Sequence, residues 1–295
     1  MNTKDKILKI FEGNPLYENF RLGYWRMRTR KSQKELEENA KKRANGFDDR
    51  QFSRLKEFEN KYNGERCFII ATGPSLTIDD LEKLKDEYTF GVNSIIKLFD
   101  KTDFRPDFYG IQDKFVYGAM QDVIKSTKFK TAFCADVIKK YYDVPNDFIL
   151  FPYNSDYHYF DVKFGEYNAQ FSDNAYEIVY DGYSITYSLI EIAVYMGFKE
   201  IYLLGCDCSY PKGSKSHVVE SGFVDKNAAS NPIRMRVGYK CAKDYADSHG
   251  IKIYNATRGG ELETFERVNL DEILSNKDQK GKRYEKNCCN STYEA

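Results

Sequence analysis

Several short apolar runs in this 295-residue sequence are followed directly by side chains that can bind a polar ligand. Hydroxyl, amide, carboxylate and guanidinium groups of this kind fix the orientation of a small molecule in a pocket. If the runs are parallel strands of one sheet, the groups after them meet at one edge and outline a single polar crevice. These residues are, in chain order, Thr72, Gly73, Pro74, Ser75, Asn93, Gln112, Asp113, Asp207 and Arg258.

His217 is the best placed of the three histidines for proton transfer. Because an imidazole titrates near neutral pH, it suits the removal of a proton from a hydroxyl group. The alternative is a surface histidine without a catalytic role. Asp207 precedes it in a polar stretch, and its carboxylate either holds a metal ion, orients a substrate hydroxyl or caps the following turn.

The turn at Gly73 leads from an apolar run into a helical pattern, in which Thr77 and Asp80 have the spacing of a capping box. Free backbone N–H groups at such a helix start can bind a phosphate, and the alternative is a tight connection without a ligand. The sequence contains neither GxxxxGK[ST] nor GxGxxG, which disfavours Walker-type and ordinary NAD-binding sites. Arg258 pairs either with an anionic ligand group or with a structural carboxylate.

The elements that position these residues alternate between strands and helices. Strands are predicted from Cys67, at Tyr88–Val92, Phe108–Ile111, Thr131–Ala135 and Phe148–Phe151, and at 199–205 and 251–257; helices are predicted after Thr77, at Ser184–Met196 and at Lys240–His249. This order predicts an α/β fold with a Rossmann-like, doubly wound, mostly parallel sheet and an N-terminal helical extension. The aromatic stretch 153–176 is predicted to be a long loop or lid.

Composition divides the chain into three predicted parts: a helical N-terminal extension over 1–62, a Rossmann-like domain over 63–275 and a disordered tail over 276–295. In the extension, Ser32–Lys42 and Ser53–Tyr62 have helical patterns on either side of Gly46. A basic cluster beside Trp25 is interpreted as a solvated helix face, the alternative being contact with an anionic surface or an acceptor. The cluster consists of Arg26, Arg28, Arg30 and Lys31.

Charge and cysteine content exclude several classes of protein. Forty-five basic residues balance 45 acidic ones, so a general nucleic-acid-binding protein is not expected. No run approaches the length of a transmembrane helix, and the first residues lack the pattern of an export signal. The seven cysteines do not have the spacing of a disulfide framework, so they predict reduced thiols and a cytoplasmic location. A location at the inner face of the membrane is compatible with this prediction. No zinc motif occurs.

Four segments carry a family resemblance: FIIATGPSL (68–76), GVNSI (91–95), PDFYGIQD (106–113) and MGFKEIYLLGCDCSY (196–210). They resemble the MptE-like group, which includes an archaeal 6-hydroxymethylpterin diphosphokinase and flagellin motility accessory factors. They are similar, more distantly, to bacterial sialyltransferases of the CstII type, which have a GNGPSL turn and a GYKEIYL strand. The resemblance covers roughly residues 65–265.

The sialyltransferase resemblance implies roles for particular residues. The opening turn, here Thr72-Gly73-Pro74-Ser75, and Asn93 after the second strand would contact a CMP donor. Ser184 and Thr186 lie near the position of a Thr-Ser pair that approaches the donor sugar, and His217 is the nearest counterpart of the general base. Here the turn has Thr72 in place of the Asn, the Thr-Ser pair is out of register, and the sequence around His217 differs.

The leading hypothesis is a glycosyltransferase that moves a nucleotide-activated sugar, such as a CMP-nonulosonate, to a surface glycan or lipid-linked acceptor, with His217 as base. It has no firm cofactor beyond the nucleotide-sugar co-substrate, and no Asp-x-Asp metal motif occurs in the sequence. The alternative is a diphosphokinase that uses ATP and Mg²⁺, for which Asp113 and Asp207 are the candidate metal ligands. A non-catalytic nucleotide or carbohydrate binder is the third hypothesis. A peripheral membrane contact and a homo-oligomer are both compatible with the sequence.

Overall fold

The structure, a computed structural model, describes residues 14–209, 217–223 and 230–275. Its centre is an eight-stranded sheet in the order β5-β4-β3-β2-β1-β8-β9-β10, in which every neighbouring pair is parallel. These strands are β1 (Arg66–Ile70), β2 (Tyr88–Val92), β3 (Phe108–Ile111), β4 (Ala132–Ala135), β5 (Ile149–Phe151), β8 (Glu200–Leu204), β9 (Lys252–Asn255) and β10 (Glu266–Arg267). The predicted α/β fold with a mostly parallel, Rossmann-like sheet is confirmed.

The direction of the sheet reverses between β1 and β8. From β1 the chain adds β2 to β5 one after another on one side, and it then returns to place β8 against the free side of β1. Loops leaving the carboxyl ends of two such strands diverge, and the crevice between them is where open α/β sheets bind ligands. The strand order therefore predicts a ligand site at the carboxyl ends of β1 and β8.

The strands are buried on both faces, as parallel strands covered by helices must be. β1, β2 and β8 each have four fully buried residues in succession, which explains why their apolar runs predict them well. On one face, Phe68, Tyr202 and Tyr254 occupy paired positions of β1, β8 and β9, and their rings stack with centroids 4.9 and 5.1 Å apart. Aromatic pairs of this kind hold neighbouring strands in register.

The described residues contain six helices: α1 (Pro15–Ala44), α2 (Ile78–Lys83), α3 (Lys114–Ser126), α4 (Ile185–Tyr195), α5 (Asn231–Ser248) and α6 (Leu270–Ser275). The capping box predicted at the start of α2 is present, with Asp80 and Thr77 bonded to each other. Helix α4 is buried and packs against β1, β2 and β3. Helix α5 packs against α4 and β9, and it begins nine residues before the predicted start at Lys240.

The predicted N-terminal extension consists of one long helix and a segment that belongs to the body. Asn14 caps the start of helix α1, where its side chain accepts hydrogen bonds from the N–H groups of Leu16 and Tyr17. The helix ends before Gly46, whose backbone is left-handed. The helix predicted over 53–62 is instead a short 3₁₀ helix at Ser53–Phe58. Leu55 and Phe58 are buried in the main core, where the ring of Phe58 packs edge-on against Phe133. Apolar contact with the sheet determines the conformation of this segment.

The aromatic stretch 153–176, predicted as a long loop or lid, is mostly irregular, and its end enters the core through Ala175 and Tyr176. It contains β6 (Tyr153–Asn154), which pairs with β7 (Val179–Tyr180) in a second, two-stranded sheet. Buried Glu191 of α4 accepts hydrogen bonds from the N–H groups of Ser172 (2.6 Å) and Tyr180 (2.9 Å), which fixes the end of the stretch. Burial raises the pKa of Glu191 well above its ordinary value.

Among the described residues, Cys67, Cys134, Cys206, Cys208 and Cys241 are free thiols, and all but Cys241 are buried. Within that same part of the chain, no helix is both long and apolar enough to cross a membrane. The predicted disordered tail at 276–295 lies outside the described residues.

Candidate active site

A crevice with a volume of about 480 Å³ opens at the carboxyl ends of β1, β2, β3 and β8. Its volume falls within the range of small-molecule sites. Nine of the residues predicted from the sequence line it together: Thr72, Gly73, Asn93, Gln112, Asp113, Ser184, Thr186, Asp207 and His217. Parallel strand order brings them together, although they come from distant parts of the chain.

Gly73 and Asp207 are in close contact at the floor of the crevice. The N–H of Gly73 donates to the carbonyl oxygen of Gly205 (2.8 Å), which joins the end of β1 to the end of β8. The Asp207 carboxylate accepts a hydrogen bond from the Ser75 hydroxyl (2.8 Å). A Cβ atom at residue 73 would lie 2.0 Å from Asp207 Oδ2 and 2.4 Å from the Gly205 carbonyl oxygen. Only glycine allows this approach.

A short strap, residues 217–221, places His217 at the rim of the crevice. The N–H of Val218 donates to the Thr72 carbonyl oxygen (2.8 Å), and the Ser94 hydroxyl donates to the Val219 carbonyl oxygen (2.6 Å). The strap is thus tied to the loops after both β1 and β2. His217 Nδ1 lies 3.2 Å from the Thr72 hydroxyl, a contact that orients the imidazole ring. If Nδ1 donates to Thr72, Nε2 is the proton acceptor.

Two amide oxygens in the crevice wall lack partners in the described part of the chain. Gln112 Nε2 donates to Asp181 Oδ1 (3.1 Å), and Gln112 Oε1 is buried without a hydrogen-bond donor. Asn93 Oδ1 is likewise buried without a donor, and the backbone of Asn93 is left-handed, with φ +46°. Buried acceptors of this kind normally have a partner, so this wall fits ligand groups that donate hydrogen bonds.

Left-handed backbone is concentrated at the crevice. Of the four described non-glycine residues with this conformation, Asn93, Tyr183 (φ +69°) and Cys208 (φ +53°) line it, and only Asn60 lies elsewhere. Such conformations cost free energy and are found most often at functional sites. Ser184, next to Tyr183, caps α4 by accepting a hydrogen bond from the N–H of Thr186 (3.2 Å). The first turn of α4 has no acidic residue and faces the crevice.

Helix α5 contributes a part of the wall that the sequence analysis missed. Asn231, Arg234, Met235 and Tyr239 line the crevice, but they lie before the predicted start of the helix. The missed signal is Pro232 after Asn231, because proline is favoured in the first turn of a helix.

Three predicted residues lie outside the crevice wall: Pro74, Ser75 and Arg258. Ser75 supports the site from behind through its bond to Asp207. Arg258 Nη1 donates a hydrogen bond to Asp80 Oδ1 (2.6 Å). Of the two predicted partners of Arg258, a ligand anion and a carboxylate of the protein, the structure therefore shows the second. Although burial by itself raises the pKa of Asp80, the hydrogen bonds from Arg258 and Thr77 hold it below the usual value. The Asp80 carboxylate already occupies the positively charged start of α2. The phosphate contact predicted there therefore has no support from the structure.

We expect Arg258→Leu to destabilise the fold by about 2 kcal/mol at neutral pH, because it leaves the carboxylate of Asp80 buried without its cation. Asp80 is 1% exposed and Arg258 is 54% exposed, and solvent screening at the arginine keeps the expected loss at the lower end for a buried pair. Urea unfolding measures the difference, which should shrink as the pH falls below 3.8, the ordinary value from which the pKa of Asp80 is lowered, because a protonated Asp80 no longer needs a cation.

The matched control is Lys243→Ala, which breaks the exposed pair with Asp247 and should cost less than about 0.5 kcal/mol. An Arg258→Leu loss as small as that of this control would show that the pair with Asp80 adds no stability.

The two candidate metal ligands predicted from the sequence, Asp113 and Asp207, fit a magnesium site poorly. Asp207 is hydrogen-bonded to Ser75, and Asp113 caps α3 by accepting a hydrogen bond from the N–H of Phe115 (2.6 Å). Both carboxylates therefore already have protein donors, whereas a Mg²⁺–nucleotide site needs carboxylates that face the metal. Within residues 14–209, 217–223 and 230–275, no three His, Cys, Asp or Glu side chains come together as a metal-binding group.

A family model described as 6-hydroxymethylpterin diphosphokinase MptE-like matches residues 40–213. The matched range contains the crevice residues from β1 to Asp207 and ends before His217. The predicted resemblance to this group is confirmed. No curated protein sequence matches the chain.

Two solved structures of named transferases have similar folds. The MAf glycosyltransferase from Magnetospirillum magneticum AMB-1 is 16% identical, with a TM-score of 0.46 over 77% of this chain. This chain spans 40% of the length of that protein. The sialyltransferase CstII from Campylobacter jejuni, in complex with cytidine-5'-monophosphate, is 16% identical, with a TM-score of 0.43. That match covers 70% of this chain and 85% of CstII.

Proposed function

The chain belongs to the MptE-like family, and from this membership and the geometry of the crevice we propose that it is a transferase acting on a nucleotide-activated substrate. The reaction we propose is glycosyl transfer to a glycan or lipid-linked hydroxyl acceptor. The observation that carries the proposal is His217, which lines the crevice and is held there by Thr72, while the two candidate metal ligands, Asp207 and Asp113, are already bonded to the protein. A fixed imidazole beside two aspartates that already accept hydrogen bonds suits proton transfer better than metal-assisted phosphoryl transfer.

In the proposed reaction, His217 Nε2 accepts the proton of the acceptor hydroxyl while that oxygen bonds to the anomeric carbon of the donor sugar. The bond from the anomeric carbon to the phosphate oxygen breaks, and the nucleotide leaves with the electron pair. The positive end of the α4 dipole and the guanidinium of Arg234, which both line the crevice, would stabilise the leaving phosphate. The unpartnered oxygens of Asn93 and Gln112 would accept hydrogen bonds from donor hydroxyl or amino groups.

A panel of nucleotides tests the proposal by thermal shift, because a ligand that binds the folded state raises the Tm. We expect stabilisation by a nucleoside monophosphate or its sugar conjugate, undiminished by EDTA. CMP and a CMP-nonulosonate are the first members of the panel. No response to any nucleotide sugar would contradict the proposal.

The second candidate is diphosphate transfer from ATP to a pterin-like alcohol, which the description of the family favours. In that case stabilisation would require ATP together with Mg²⁺, and it would be lost on substitution of Asp113 or Asp207. A non-catalytic binder would respond to the panel without turning the donor over. Donor hydrolysis that is lost on His217→Ala would argue against a binder of that kind.

A further inference from the structure

Helix α1 presents an apolar stripe to solvent, on the side that faces away from the body of the protein. Leu22, Thr29, Leu36 and Arg43, spaced by seven residues, are half-buried or buried on the inner side. On the outer side, Leu16, Phe20, Tyr24 and Met27 are 81%, 75%, 49% and 66% exposed. Their spacing of four, four and three residues places these four on one face of the helix. We refer to them as the α1 stripe.

Basic residues flank the α1 stripe on both sides. On a helical projection, Arg21 and Arg28 lie along one edge, and Arg26 and Arg30 along the other. All four are exposed, and so is Lys31 beyond the last apolar residue. Residues 15–31 contain five basic residues and one acidic residue, whereas the chain as a whole is neutral. Positive charge is therefore concentrated around the apolar face.

The second half of α1 has an ordinary solvated outer face. There Lys34 and Glu38 occupy the outer side and form an exposed ion pair, and Lys41 follows them. Alternating charges of this kind need no partner. The apolar part of the outer face is therefore confined to the first four turns of α1. Four large apolar side chains exposed together on one face are unusual for a helix that contacts only water.

We propose that the α1 stripe docks on an anionic membrane surface, with the helix lying in the plane of the interface. Apolar side chains would enter the headgroup region, while the flanking arginines and Lys31 contact lipid phosphates. A second copy of the chain fits less well as the partner. Its own α1 stripe is flanked by the same arginines, and the two sets of positive charges would repel each other. Four side chains also fall short of the area that a stable dimer buries.

Vesicle sedimentation with the full chain tests this proposal, which is independent of the proposed reaction. We expect the protein to pellet with vesicles of phosphatidylcholine and phosphatidylglycerol, and to be released by salt. Pelleting with phosphatidylcholine alone should be much weaker.

Two double variants test the two parts of the surface. Arg21→Ser/Arg28→Ser should weaken partitioning about 30-fold, from roughly a fivefold contribution of each arginine near the membrane. Phe20→Ser/Met27→Ser should weaken it at least about tenfold, because two apolar side chains no longer enter the lipid. Lys34→Ser/Lys41→Ser, which removes two positive charges from the second half of the same helix, is the matched control and should bind as the native chain does.

Several results would overturn the proposal. They are equal binding to neutral and anionic vesicles, an equal loss in the control variant, and no vesicle binding at all. A dimer in sedimentation equilibrium that disappears in Phe20→Ser/Met27→Ser would instead assign the α1 stripe to a second copy. Circular dichroism of each variant checks that the fold is kept.

Discussion

His217→Ala should lower kcat by about 100-fold or more, which is the usual contribution of a positioned general base. The imidazole lines the crevice, and Thr72 and the strap fix its position there, where it can accept the proton of an acceptor hydroxyl. Its loss leaves the acceptor hydroxyl protonated as it attacks. Turnover of a nucleotide sugar by purified protein measures the effect.

Two further variants show whether the effect is chemical. Thr72→Val keeps the shape of the side chain but removes the hydroxyl that contacts Nδ1, so a smaller loss of about tenfold is expected. His249→Ala, at the end of α5 and outside the crevice, should leave turnover unchanged. Donor binding by thermal shift should be the same in all three proteins. Native turnover in His217→Ala would remove this residue from the mechanism.

Gly73→Ala should damage both the fold and the site. The new methyl group would overlap the Gly205 carbonyl oxygen and the Asp207 carboxylate, and a backbone oxygen cannot easily move aside. Overpacking of this kind typically costs up to about 3 kcal/mol. For a protein of this size, that loss corresponds to a fall in Tm of about 6–12 °C. Thermal unfolding measures the loss, and nucleotide binding should weaken with it.

Gly23→Ala is the matched glycine substitution. A Cβ at residue 23, in the exposed first half of α1, has no neighbour within 4 Å. Alanine is the better helix former, so this variant should be as stable as the native chain or more stable by up to about 1 kcal/mol. If Gly73→Ala unfolds at the same temperature as Gly23→Ala, the close approach of β1 and β8 is not required.

The sheet and much of the crevice are predictable from the sequence for a simple physical reason. Strands buried on both faces appear as unbroken apolar runs, and the predicted bounds of β2 and β3 agree with the structure residue for residue. Polar groups after such runs must lie at one edge when the strands are parallel. Asn93 and Asp207 therefore line the same crevice, although no local sequence pattern connects the two residues.

The remaining features depend on tertiary contacts that local patterns do not contain. The two possible partners of Arg258 are distinguished only by the position of Asp80, which is 178 residues away in the chain. The strap that carries His217 has no periodic pattern, because its hydrogen bonds run to the ends of β1 and β2. The stretch 153–176 is mostly irregular, as its sequence indicates, but no local pattern predicts that Glu191 of α4 binds the backbone of Ser172 near its end.

The reversal of strand order between β1 and β8 also determines when the site can arise during synthesis. A nascent chain that has emerged as far as residue 151 has all the residues of β1 to β5, which can pair in the order of their appearance. It still lacks Asp207 and His217, whose contacts with Ser75 and Thr72 span 132 and 145 residues. The open side of β1 must therefore stay unpaired until β8 is made. Binding competence is a late event in the biogenesis of this protein, after most of its sheet can already exist.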